Sequence, residues 1–334
     1  MLRRAGDIGE RGLVEMIWRL VDRKLAGARM DGPLPHPDDA SAIRLPDGRY
    51  LVLKADMFVR RTDAPRGMRH SQMGRKSVVM CASDLAAKGA RPCAFLHSIG
   101  VPPNYRSDQI LELADGVLSA CREYGLSFLG GDLGESRDLV VAGFMVGFAS
   151  RLVARSGASP GDLLAVTGPF GETASAFEIL MKGRGAPPDL RARLLKSVYR
   201  PRARVDLGVA LAESGVVTSS MDSSDGLAFT LHELSNSSGV RFVISSLPVS
   251  DAAAEFASIH RLRAEDLALY GGEEYEIVLT IKPEAFEKAR EIAEMCGGSL
   301  LPIGRAEYGR GVFLSDGSSE RPMEARGWEH LRHP

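Results

Sequence analysis

Apolar positions in the first half of the chain alternate between two spacings. From Gly12 to Ala26 they recur with helical periodicity at Leu13, Ile17, Leu20 and Val21. The stretch Gly32-Pro33-Leu34-Pro35-His36-Pro37 breaks that pattern as a linker. Ala40 to Leu45 and Tyr50 to Ala55 flank the turn residues Pro46-Asp47-Gly48-Arg49 and predict a β-hairpin. A helix from about Ser71 to Lys88 and a strand around Ala94 to Val101 follow. Ser107 is placed to act as N-cap of a helix reaching Tyr124, and Leu126 to Leu129 and Leu139 to Ala149 are strands. The order β-β-α-β-α-β-β predicts an α+β domain with its helices on one face of a sheet.

Near Arg151 the pattern changes, which divides the chain into an N-terminal domain, residues 1–150, and a C-terminal domain, residues 151–334. Gly157-Ala158-Ser159-Pro160-Gly161-Asp162 introduces a strand, Leu163 to Thr167, and a helix from about Glu172 to Met181 lies beyond Gly168-Pro169-Phe170-Gly171. Gly183 to Pro188 is loop and Val205 to Glu213 helix. The β-type run Gly215 to Ser220 leads to two acids, Asp222 and Asp225, that open a helix running to about Ser237. Strands at Arg241 to Ser245, Tyr275 to Ile281 and Gly311 to Leu314 alternate with a helix from Glu284 to Cys296, so this half predicts a mixed α/β domain. Neither half carries an internal repeat or a low-complexity segment.

Composition narrows the function classes. The 334 residues are 44% hydrophobic, enough for a sizeable core and for two domains. A formal charge of −1 gives no electrostatic footprint for nucleic acid or an anionic membrane, so the expected partner is a small soluble substrate. The longest apolar run, Leu139 to Ala149, is 11 residues, too short to cross a bilayer. Met1-Leu2-Arg3-Arg4-Ala5-Gly6-Asp7 lacks the apolar core of a secretion signal, and a cytoplasmic protein is expected. Cys81, Cys93, Cys121 and Cys296 are far apart, which argues against zinc and disulfides and for buried small residues.

The candidate chemistry lies in aspartates that stand beside small and apolar residues. Asp222 and Asp225 sit in Met221-Asp222-Ser223-Ser224-Asp225-Gly226 at a strand end; Asp39, Asp84 and Asp132 have similar company upstream. Acids in such surroundings are costly unless a positive charge meets them, and oxygen ligands from scattered loops suit a hard cation such as magnesium. No Walker A, Rossmann or protein-kinase motif occurs. Gly130-Gly131-Asp132 offers a flexible backbone for a phosphate with an acid for its cation, although glycine beside aspartate also makes a plain turn. Helix capping by Asp222 or Ser223, with Asp225 favourable to the dipole, is the bland reading of the acid pair. Asp84 reads equally as a satisfied helical acid and Asp39 as a turn residue; the combination favours a site. Gly271-Gly272-Glu273-Glu274-Tyr275-Glu276 repeats the form of glycines and acids before a strand.

Six elements, in order, carry a resemblance. They are Asp38-Asp39-Ala40-Ser41, Ser83-Asp84-Leu85-Ala86-Ala87-Lys88-Gly89-Ala90-Arg91-Pro92, Gly130-Gly131-Asp132, Arg155-Ser156-Gly157-Ala158-Ser159-Pro160-Gly161-Asp162, Asp222-Ser223-Ser224-Asp225-Gly226-Leu227 and Gly271 to Glu276. Over almost its whole length the chain resembles the thiamine-monophosphate kinase family within the aminoimidazole-ribonucleotide-synthetase-like superfamily. The resemblance implies a ferredoxin-like α+β N-terminal domain that dimerises through its sheet, followed by an α/β C-terminal domain. The resemblance also implies that ATP would lie in a cleft between the domains and across a homodimer. It implies ATP-dependent phosphorylation of thiamine monophosphate to thiamine diphosphate by direct transfer, with Asp132, Asp222 and Asp225 in catalysis and no covalent nucleophile. Several magnesium ions would be held by Asp39, Asp56, Asp84, Asp132, Asp222 and Asp225. Gly131, Asp132, Arg155 and Ser224 would contact ATP. Glu273, Asp225 and Trp328, the last in Arg326-Gly327-Trp328-Glu329-His330, would hold the thiamine end, where a tryptophan face suits a cationic ring.

Around Asp56 the chain departs from the family pattern. Lys54 and Ala55 stand where hydroxyl residues are usual, so hydroxyl metal ligands are lost and Lys54 is a fixed positive charge; Asp63 takes a histidine's place at the substrate. Two rivals remain at this point: an ATP-dependent relative with another acceptor, and a non-catalytic nucleotide-binding relative.

Overall fold

The computed structural model describes residues 4–25 and 32–331. Ala26, the expected end of the first helix, and Met1-Leu2-Arg3 of the N-terminal segment lie outside the described residues. In the first half, α1 (Ala5–Ile8) and α2 (Glu10–Lys24) precede β1 (Ser41–Arg44), β2 (Tyr50–Val59), α3 (Arg60–Asp63), α4 (His70–Ala87), β3 (Arg91–Val101), α5 (Ser107–Tyr124), β4 (Ser127–Glu135) and β5 (Val140–Ala149). The strands form one sheet ordered β1-β2-β5-β3-β4, with only β3 and β4 parallel. As the pattern predicts, helices lie on one face: α4 packs on β2 and β5 and crosses α5. The crossing is close because two glycines lie in it. A Cβ at Gly74 would stand 2.1 Å from the Leu113 carbonyl oxygen, and one at Gly116 1.9 Å from that of Ser71.

The second half contains β6 (Leu163–Val166), α6 (Glu172–Lys182), α7 (Pro188–Tyr199), α8 (Val205–Ser214), β7 (Val217–Asp222), α9 (Leu227–Ser238), β8 (Arg241–Ile244), α10 (Asp251–His260), α11 (Ala264–Tyr270), β9 (Ile277–Ile281), α12 (Phe286–Met295), β10 (Leu301–Glu307), β11 (Gly311–Ser315) and β12 (Glu320–Pro322). Seven strands order as β12-β11-β8-β10-β6-β9-β7. Helix α4 also touches α8 and β7 of this half, so it is buried nearly all round. That explains its lack of a single apolar stripe.

Several expectations are corrected. Asp222 closes β7, and α9 begins only at Leu227 after Gly226 at φ 111°, so neither Asp222 nor Ser223 caps that helix. Gly130-Gly131-Asp132 is not a turn, because β4 runs through it to Glu135. Ser107 is the first residue of α5 rather than its cap; the Arg106 backbone N–H there donates to Gln109 Oε1 at 3.1 Å. Helix α12 starts at Phe286 after a separate 3-10 turn, Pro283–Ala285, and ends before Cys296. Helices α7, α10 and α11 and strands β10 and β12 went unseen. In α7 the buried Leu190, Leu194 and Val198 are interleaved with Arg191, Arg193 and Lys196, and Pro302 and Gly304 disrupt β10 around a register shift. All four cysteines are free, but only Cys81 and Cys121 are buried; Cys93 is half-buried and Cys296 exposed. Among the described residues no helix is long and apolar enough to cross a membrane.

Candidate active site

Three acids from separate places in the chain meet where the two halves join. Asp84 comes from α4, Asp222 from the end of β7 and Asp39 from the segment before β1. One carboxylate oxygen of each lies within 4.8 Å of the others, and all three residues are buried. Ser83 Oγ, also buried, donates to Asp222 Oδ2 at 2.7 Å. A buried carboxylate needs such partners, because an unpaired charge in the interior is very costly.

Cations from the chain supply most of the rest. Arg155 Nε donates to Asp39 Oδ1 at 2.8 Å, and its backbone N–H donates to Asp38 Oδ2 at 3.0 Å. Lys88, fully buried just past α4, places Nζ 2.7 Å from Asp38 Oδ1, 2.8 Å from Asp39 Oδ2 and 2.7 Å from the Ser220 carbonyl oxygen. Lys54 Nζ lies 2.8 Å from Asp84 Oδ2 and 3.7 Å from Asp56 Oδ2. Five carboxylates, at residues 38, 39, 56, 84 and 222, thus face three cations, an excess of two negative charges when all are ionised.

The titration behaviour follows this layout. Burial opposes the charge on Asp39, but Arg155 and Lys88 overcome it and hold the carboxyl below its ordinary value. Burial pushes Asp84 well up, with Lys54 opposing and Asp222 reinforcing the rise. Asp222 is pushed up to about 6, first by burial and then by the Asp39 charge. For Lys54 burial works against the charge, yet Asp84 and Asp56 hold its pKa well above the ordinary lysine value.

The donor set fits a divalent cation. Its atoms are hard oxygens, and negative charge is in excess even with Lys88 Nζ 2.8 Å from Asp39 Oδ2. Asp39, Asp84 and Asp222 could hold such an ion together, and Asp56 lies beside Lys54 at the edge of the group.

A second wall is formed by the segment from Gly271 to Glu276, stitched to the loop after β7. Backbone N–H groups of Glu273 and Tyr275 donate to Ser224 and Ser223 carbonyl oxygens at 2.7 and 3.0 Å, and the Ser223 N–H donates to that of Glu276 at 2.8 Å. Glu273 and Tyr275 both have positive φ, 67° and 54°, a strained state for such residues that persists only where the surroundings enforce it. Lys76 Nζ donates to Glu273 Oε1 at 2.5 Å and to the Asp63 carbonyl oxygen at 2.6 Å. Glu276 is held by Arg204 and by Thr167 Oγ1 at 2.7 Å. Glu274 accepts from the Gly171 N–H at 2.6 Å, and burial pushes its pKa up to about 7.

The remaining expected residues fall into two groups. Near the cluster, Asp225 has its pKa pushed up to about 7, first by burial and then by Glu10 of α2. Its carbonyl oxygen accepts the Trp328 N–H at 2.9 Å, which brings the C-terminal segment to this end of the site with Trp328 40% exposed. Asp63 is buried and its Oδ2 accepts the Val59 N–H at 2.6 Å, so this carboxylate is engaged in its own turn. Away from the cluster stands Asp132. It lies on the edge strand β4, and the register Asp132, Ser98, Ala142, Met57 puts it on the sheet face opposite Asp56, exposed to solvent. Two strands, β5 and β3, stand between it and β2, a separation of about 14 Å at the usual spacing. Gly131 also has a local cause: a Cβ there would stand 1.8 Å from the His97 carbonyl oxygen, so β3 requires the glycine.

Lys88, Lys76, Ser83 and Asp38 went unnamed as site residues. Lysines inside small and apolar runs, such as Ala86-Ala87-Lys88-Gly89-Ala90, were the available signal, since a buried lysine implies a waiting carboxylate.

Comparison with known proteins identifies the family. Residues 37–149 match the family described as AIR synthase related protein, N-terminal domain, and residues 159–317 match its C-terminal domain. The thiamine-monophosphate kinase of Nitrosopumilus maritimus is 37% identical over 84% of this chain and 89% of that protein. That of Pyrococcus abyssi is 38% identical over 88% and 90%. The solved structure of AaThiL complexed with AMPPCP and TMP superposes with a TM-score of 0.86 at 27% identity, covering 99% of both chains. With its aspartates gathered between two domains of this architecture, the chain belongs to the thiamine-monophosphate kinase family.

Proposed function

We propose that this chain is a kinase that transfers the γ-phosphoryl group of ATP to the phosphate of thiamine monophosphate, giving thiamine diphosphate and ADP. The observation that carries the reading is the meeting of Asp39, Asp84 and Asp222 within 4.8 Å, from both halves of the chain. The names of its relatives and the ligands in the AaThiL complex support the substrate pair. Phosphoryl transfer asks little covalent chemistry of a protein and depends on positioning and on neutralising phosphate oxygens. Magnesium would be held by Asp39, Asp84 and Asp222, with Asp56 and Asp225 at the margins, and would supply that neutralisation. Arg155 and Lys88 keep Asp39 ionised and in place. Ser223 to Asp225, tied to the strained Glu273 segment, set the acceptor against this cluster, with Glu273, Trp328 and Asp225 toward the thiamine end. Gly131, Arg155 and Ser224 are assigned to ATP, and Asp63 supports the substrate side through its turn.

A homodimer completes the reading. The face of the first sheet that lacks helices exposes Ile43, Met57 and Phe144 and carries Asp132. An uncovered apolar sheet face of this kind is suited to pairing with a second copy. Such pairing, in the cytoplasm, gives Asp132 its metal and phosphate role across the interface, since within one chain it stands away from the cluster. The domains are residues 1–150, for nucleotide, metal and pairing, and residues 151–334, which bring Asp222, Arg155 and Ser224 to the same site.

Purified protein incubated with ATP, magnesium and thiamine monophosphate tests this directly. ADP and thiamine diphosphate in equal amounts are expected. Nucleotide binding without turnover points to the non-catalytic relative, and ADP formed only with a different acceptor points to the other ATP-dependent enzyme.

A further inference from the structure

Lys54 occupies a place that the rest of the site makes unusual for a lysine. It projects from β2 on the same face as Asp56, two residues on, and reaches across to α4, where Nζ lies 2.8 Å from Asp84 Oδ2. The Asp56 Oδ2 atom is 3.7 Å from the same nitrogen, so the ammonium sits between two carboxylates of different elements. Its side chain is only 20% exposed. Between them, Ala55 contributes no side-chain oxygen.

We propose that Lys54 is a resident cation that takes the place of one divalent ion, holding Asp56 and Asp84 together as a bridging metal would. The inference rests on the magnesium-dependent reading above and deepens it. Magnesium binds carboxylate oxygens at about 2.1 Å in a near-octahedral shell. An ion bridging these two carboxylates would have to share their space with the ammonium, and two cations at such separation repel strongly in a site shielded from water. The two arrangements therefore exclude one another. An ammonium is a compact point charge with three donors and no fixed geometry, so it pairs two carboxylates without completing a shell from water or hydroxyl oxygens. Divalent ions are then confined to the side of the cluster formed by Asp39, Asp84 and Asp222, whose carboxylate oxygens lie within 4.8 Å of one another. On the Asp56 side a phosphate oxygen meets a charge that is present at every metal concentration.

The test counts ions rather than turnover. Manganese(II) binding to the full chain, without nucleotide, is measured by electron paramagnetic resonance for the wild type, Lys54→Arg and Lys54→Gln. Wild type and Lys54→Arg are expected to bind the same number of ions. Lys54→Gln is expected to bind one more, or to bind the same number at least about tenfold more tightly because a neighbouring positive charge is gone. Equal number and affinity in all three overturns the proposal while leaving the metal-dependent reading intact. Failure of every protein to bind manganese overturns both. Should Lys54→Gln not fold, anomalous scattering from wild-type crystals soaked in manganese decides: a peak bridging Asp56 and Asp84 contradicts the proposal, and peaks only beside Asp39, Asp84 and Asp222 support it.

Discussion

The aspartate cluster and the edge strand β4 are written in nearly the same residues and end in opposite environments. Asp84 and Asp222, each beside serine and small or apolar neighbours, are buried and meet Asp39 across the junction of the two halves. Asp132, after two glycines and between apolar residues, is exposed on the last strand of its sheet. The difference lies in what covers each strand end. Both strands lie at sheet edges, β7 beside β9 and β4 beside β3, but β7 is covered by α4, α8 and α9, whereas β4 packs on α5 and turns the face with Asp132 to solvent. A carboxylate in the first setting must be paired or neutralised within the chain; one in the second is free to serve a partner across an interface.

The largest way to break this contrast is at the cluster. Asp222→Asn keeps the Ser83 partner but removes a charged ligand, and turnover with ATP and thiamine monophosphate is expected to fall at least about a hundredfold. Asp132→Asn sharpens the other side. Alone it should also abolish most turnover, yet a mixture with Asp222→Asn should regain about a quarter of wild-type activity, since random reassortment of a two-fold dimer gives half mixed dimers with one intact site. No recovery on mixing, with dimers confirmed by light scattering, confines Asp132 to its own chain.

Smaller effects probe the acceptor end. Trp328→Ala should raise the KM for thiamine monophosphate about tenfold, as expected for a lost face against a cationic ring, and leave that for ATP nearly unchanged. Equal changes for both substrates remove the stacking role. Glu274 gives the smallest and most pH-bound effect. Its folded pKa of about 7 lies above the ordinary value of 4.5, so the protonated form favours folding and that contribution is complete below about pH 4.5 and lost as pH rises through 7. Glu274→Gln should therefore melt like the wild type near pH 5 and be more stable at pH 8. The gain is below about 3 kcal/mol, reduced because part of the residue meets solvent. Melting curves at the two pH values read the difference.

How much of this was readable in the chain depends on the reach of each signal. The alternation of β1 to β5 with α4 and α5 is local periodicity, and it is present in the structure in the expected order. Asp39, Asp84 and Asp222 were visible because acids among small and apolar residues require a counterpart. Which counterpart was not visible: Lys88 meets Asp38 and Asp39 from 50 and 49 positions away, a pairing that only the packing of α4 against both halves determines. The place of Asp132 was not visible, because Gly131 answers the approach of β3 at His97 and the same letters suit a phosphate loop. Strand β10 was hidden by Pro302 and Gly304, and α11, seven residues long, offers too short a stripe to read.

The central claim is that carboxylates from the two halves share one divalent ion. It is tested most directly by a double-mutant cycle on manganese affinity with Asp84→Asn, Asp222→Asn and the double variant, measured by calorimetry without nucleotide. Ligands of one ion should be strongly non-additive, the double variant binding little worse than the weaker single one. Losses that simply add, or affinities unchanged in both single variants, would contradict the account.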